Sequence, residues 1–140
     1  MDIEYPVKLK LTLKPVQQPW VTVKIGKHTV TQQLKTVTDF DFEFVATDQA
    51  ILTVEHHNKS DQDPDTAVVI QQIGFYGISD PRFVWAGMYY PQYPIHYPNQ
   101  TLCLSGQEYL GWNGVYVLKF QVPVFTWMHQ IKSLGWLYQQ

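Results

Sequence analysis

LTVEHHNKSDQDPDTAVVIQQIGFYGI, Leu52 to Ile78, holds two strand-like apolar runs separated by an oxygen-rich loop. Leu52, Val54 and His56 continue a pattern in which apolar side chains recur at every second position, as a half-buried strand requires. Beyond the loop, Ala67, Val68, Val69 and Ile70 follow one another without a polar break, the pattern of a strand covered on both faces. Gly74, Gly77 and the Asp80-Pro81 pair close that run.

The same alternation extends on both sides. Val7, Leu9, Leu11 and Leu13 alternate with Lys8, Lys10, Thr12 and Lys14, and Pro15 and Pro19 bracket the next turn. Val21, Val23 and Ile25 lead into a tight turn at Gly26-Lys27 and a strand over 29–34. Phe40, Phe42 and Phe44 share one face of a strand over 38–45, with Asp39, Asp41 and Glu43 on the other. Residues 83–88 and 115–122 give further strands. About six to eight short strands punctuated by turn residues predict an all-β, antiparallel sandwich of jelly-roll type, a single domain over residues 1–140. Val124, Met128 and Ile131 fit one face of a short C-terminal helix, and the segment fits a strand or docking arm as well.

Composition narrows the function. A 140-residue chain that is 45% hydrophobic and 16% charged has enough apolar surface for a real core. The net charge of −2 comes with scattered lysines, which excludes the basic patch of a nucleic-acid binder. No apolar run approaches the roughly 18 residues of a membrane span. Cys103 is the single cysteine, so no intrachain disulfide forms, and TLCLSG reads as a setting for a small buried hydrophobe. MDIEYPVKLKL lacks the charged and apolar regions of a secretory signal.

Two segments carry candidate chemistry. The loop places Asn58, Asp61, Asp63 and Asp65 close together, and calcium takes six to eight oxygen ligands. The glycine and the final glutamate of an EF-hand are missing, so the loop reads either as a calcium site or as a polar turn set by Pro64. The second segment, WAGMYYPQYPIHYPNQ, sets Trp85, Tyr89, Tyr90, Tyr93 and Tyr97 among stiffening prolines. Exposed, these rings would stack on sugar or anchor a protein partner; buried, they would fold over the end of the sandwich. His56 and His57 point to opposite strand faces and cannot share a metal, and no zinc spacing, phosphate loop or nucleophile elbow occurs. The Asp39, Asp41 and Glu43 row lies on one strand, whereas glycosidases need carboxylates across a cleft. The chain therefore reads as a non-enzyme.

From Val21 to Ile78 the sequence resembles the calcium-dependent xylan-binding type of carbohydrate-binding module, through a strand ending in Asn58, an acidic loop and an apolar strand ending in glycine. That resemblance implies a β-sandwich with a calcium and ligand site in its loops, and points to Asn58, Asp61 and Asp65 as calcium ligands. From Asp65 to Tyr138, DTAVVIQQIGFYGISDPRFVWAGMYYPQYP, YLGWNGVYVLKFQVPVFTW and LGWLY resemble small uncharacterised virion or tail-associated proteins of tailed bacteriophages of marine cyanobacteria. This second resemblance implies assembly in the host cytoplasm, a place in the virion, and other virion proteins or further copies of the chain as partners. There Trp112, Trp127 and Trp136 look like a packing or assembly surface. Together these readings give a non-catalytic virion protein binding a host-surface glycan with calcium. The alternatives are a purely structural decoration or connector protein and, last, a polysaccharide-acting enzyme.

Overall fold

The computed structural model describes residues 3–60, 65–93, 100 and 102–137. Two antiparallel sheets face each other across one core. The smaller sheet contains β1 (Tyr5–Val16), β4 (Thr38–Ala46), β6 (Ala67–Phe75), β7 (Ile78–Ser79) and β10 (Tyr109–Leu110), in the order β10-β6-β1-β4 with β7 hairpinned onto β6. The larger contains β2 (Trp20–Ile25), β3 (His28–Gln33), β5 (Gln49–His57), β8 (Met88–Pro91), β9 (Leu104–Ser105) and β11 (Gly114–Gln121), in the order β3-β2-β5-β11-β8-β9. The all-β sandwich expected from the alternation is the fold.

The alternating residues fill the core. Leu9, Leu11 and Leu13 from β1 meet Val21, Val23, Leu52, Val54 and Leu118 from the opposite sheet, all essentially fully buried. Burying each such side chain stabilises the fold by about 1.5–3 kcal/mol before entropy is counted. Outside, Lys8 lies 3.4 Å from Glu43, and Lys10 lies 3.6 Å from Asp39. These exposed pairs contribute little.

Several elements differ from the sequence expectation. β1 continues through Pro15 to Val16 and turns at Gln17, where φ is +65°. Proline is tolerated because β4 stops pairing at Leu13, leaving Pro15 beside β6 only, so that one edge of the strand there needs no N–H. The strand expected over 83–88 is instead a one-turn helix, α1 (Pro81–Trp85), followed by β8. Asp80 caps it by accepting the Arg82 N–H at 2.9 Å, and Pro81 supplies the pre-set first-turn φ. The C-terminal segment is a helix, α2 (Val124–Leu137). Cys103 is half-buried rather than buried.

Aromatic rings join the helices to both sheets. Phe75 on β6 contacts Phe120 on β11, Phe83 on α1 and Trp127 on α2, with centroids 4.9, 5.6 and 5.7 Å away. Trp127 is therefore core and not assembly surface. Tyr116 is fully buried, and its hydroxyl donates to the Val84 carbonyl at 2.5 Å. Gly87 makes room for that ring, since a Cβ there would lie 2.3 Å from Tyr116 Cζ.

Candidate functional site

At one end of the larger sheet, three connections are tied together. β5 ends at His57, and Asn58 turns the chain out of the sheet with φ at +62°, a left-handed conformation that asparagine tolerates. Lys59 follows, and Asn113 grips its backbone from both sides. Lys59 N–H donates to Asn113 Oδ1 at 2.9 Å, and Asn113 Nδ2 donates to the Lys59 carbonyl at 3.0 Å. One side chain thus substitutes for a strand pairing and joins the start of the acidic loop to the β10–β11 turn.

The segment after β8 joins the same knot. Gln92 N–H donates to the Asn113 carbonyl at 2.6 Å. The Tyr89 hydroxyl donates to the Trp112 carbonyl and accepts the Trp112 N–H at 3.1 Å. Tyr93 meets Trp112 edge to face at 6.0 Å between centroids. Lys59 Nζ donates to the Gly111 carbonyl and sits 4.5 Å from the Trp112 ring centre, a cation–π arrangement that fixes the indole. Gly114 permits the close approach of β8: its φ is +153°, and a Cβ would lie 2.3 Å from the Tyr90 carbonyl oxygen.

His56 lies beneath this knot, fully buried, with Nδ1–H donating to the Leu110 carbonyl at 3.0 Å. A carbonyl only accepts, so Nδ1 carries the proton. Burial lowers the ring's pKa to about 4, assisted by the Lys59 charge and opposed by the Leu110 hydrogen bond. The Trp112 backbone also favours the charged ring, but Nε2 makes no hydrogen bond to it or to any described residue. His57 faces the other way, with Nε2 at 3.0 Å from Thr22 Oγ1 and its ring 6.4 Å from that of Trp20.

The expected site residues fall into distinct places. Asn58 and Asp65 flank the acidic loop, and Asp65 is exposed; Asp61 and Asp63 lie outside the described residues, as does Tyr97. Tyr90 is 44% exposed and Tyr93 half-buried, both beside the knot. Tyr89 is a correction: at 1% exposure its ring is core, and burial pushes its hydroxyl up to about 12, so it braces Trp112 and presents no face. Trp85 lies apart on α1, with its indole N–H donated to Glu108 at 2.7 Å. Among the described residues no three His, Cys, Asp or Glu side chains cluster, and no helix is long and apolar enough to cross a membrane. Lys59 and Asn113 were missing from the expected set. The Asn113-Gly114 dipeptide, a strong turn signal, was the available clue.

No family model matches the chain, and no curated protein matches it. Among solved structures it is similar to the module vCBM60 in complex with galactobiose, with a TM-score of 0.54 and 18% identity over 79% of this chain and 96% of that one. It is also similar to the selenomethionine form of vCBM60, described with circular permutation as a link between two families of calcium-dependent carbohydrate binding modules. There the TM-score is 0.50 at 19% identity, covering 80% of this chain and 89% of that one. What is shared at this identity is the β-sandwich fold of a carbohydrate-binding module.

Proposed function

We propose that the chain is a non-catalytic glycan-binding module whose site is the knotted loop end of the larger sheet. The observation that carries this reading is the grip of Asn113 on Lys59, which holds the start of the acidic loop against the turn that carries Trp112, with Tyr93 packed on that indole. Exposed Tyr90 and the fixed Trp112 offer aromatic surface to sugar rings, and the loop offers oxygen donors. The amide oxygen of Asn58 and the carboxylates of Asp61, Asp63 and Asp65 are hard ligands of the kind calcium takes, whereas the buried His56 nitrogen is not. Bound calcium would neutralise the crowded carboxylates and offer open coordination positions to sugar hydroxyls. The calcium-dependent neighbours support the same assignment.

Calorimetric titration of calcium into the folded protein tests it, followed by glycan titration read at the backbone amides of Asn58, Lys59 and Trp112. Calcium heat that is lost in Asp65→Asn, together with calcium-dependent shifts of those amides, is expected. No calcium heat, and no glycan shift at those amides with calcium present, would overturn it. We further place the module on a phage particle, which rests on the sequence resemblance between Asp65 and Tyr138. A second reading, a decoration protein acting only through protein contacts, is favoured by the exposure of Leu102 (83%) and Phe125 (56%). A purified chain that stays monomeric and does not associate with virions would remove it.

A further inference from the structure

The outer face of the smaller sheet departs from regular pleating at one place. β6 carries a bulge opposite β1: Thr12 pairs with Gln72 but Leu13 pairs with Ile70, so Gln71 is the additional residue. A bulge interrupts the alternation and re-aims a side chain. Here both Gln71 and Gln72 are exposed, where regular pleating would have turned one inward. Neither amide hydrogen-bonds to another described residue.

Two depressions meet at Gln72. One, of about 330 Å³, is lined by Lys8, Lys10, Asp41, Glu43, Gln72 and Tyr76. The other, of about 240 Å³, is lined by Gln71, Gln72, Ser79, Asp80 and Glu108. Glu108 also holds the Trp85 indole N–H, which fixes a ring that is 48% exposed. The track thus runs from β4 over β1 and β6 to an oriented tryptophan. The strands alone span two inter-strand spacings, about 10 Å, more than one sugar ring.

We propose that this face binds a neutral oligosaccharide without calcium. The charges along this face are of both signs, with Lys8 paired to Glu43, Lys10 to Asp39 at 3.6 Å and Arg82 to Asp80 at 2.7 Å, while Asp41 and Glu108 add negative charge that repels an anionic polymer. Glutamine amides donate and accept together, matching hydroxyl groups that do the same. The Trp85 face supplies apolar surface for the C–H side of a ring. A protein partner would call for an apolar centre, and the centre of this face is two amides and an ion pair. None of the loop-end residues lines this face.

The test is an NMR titration of the isotopically labelled chain in EDTA with neutral β-linked xylo-, gluco- and galacto-hexaoses. At least one should shift the Trp85 indole N–H and the side-chain amides of Gln71 and Gln72. Trp85→Ala and Gln72→Ala, both at exposed positions, should each weaken that binding about tenfold. No shift at these groups with any of the three sugars would overturn the proposal. Shifts confined to the loop end, or variants that bind like the parent chain, would do so too.

Discussion

Acidification should destabilise this fold through a single imidazole. His56 is neutral when folded and takes a proton only near pH 4, whereas in the unfolded chain it does so near 6.5. Between those values the unfolded state binds more protons, so stability falls as the pH falls. The contribution is whole above pH 6.5 and is lost by about pH 4. At about 1.4 kcal/mol per pH unit, the gap is worth about 3 kcal/mol, a substantial part of the stability of a small domain. The assay is urea unfolding, followed by tryptophan fluorescence, across that pH range. The comparison is His56→Asn, whose amide nitrogen takes the place of Nδ1 as donor to the Leu110 carbonyl but does not titrate. Carboxylates titrate in both proteins and cancel, so the parent should lose about 3 kcal/mol more than the variant over the window. Parallel curves for the two proteins would refute the assignment of a buried, neutral His56.

Asn113→Ala removes both bonds to the Lys59 backbone and should cost about 1–3 kcal/mol, with faster amide exchange at Lys59; unchanged exchange there would show that the grip holds nothing. Gly87→Ala drives a methyl into the Tyr116 ring, whose hydroxyl is fixed to Val84. It should destabilise by about 1–3 kcal/mol in a thermal melt, and a melting temperature equal to the parent's would contradict the tight packing.

The sandwich was legible because its signal is local. Leu9, Leu11 and Leu13, or Phe40 and Phe42, reveal their burial by alternation alone. The segment from Phe83 has apolar residues spaced as in a strand; the Asp80 cap and Pro81 decide for a helical turn, although in the sequence that pair signals only a stop. The bulge at Gln71 follows from the register of β6 with β1, which no local pattern in the sequence sets. The loop-end site was legible only in part, because its decisive contact joins Lys59 to a residue 54 positions away. Tyr89 and Tyr90 are neighbours of identical chemistry, and only strand pairing with β11 tells which ring is core.

The place of β1 between β4 and β6 has a consequence for synthesis. Chain growth delivers β1 first, yet one of its two neighbours ends at Phe75. Pairing of strands so far apart in sequence is intrinsically slow. During translation Leu9, Leu11 and Leu13 therefore remain without their partners Phe75, Ile73 and Ile70 until β6 has emerged, a row of apolar side chains suited to recognition by a chaperone.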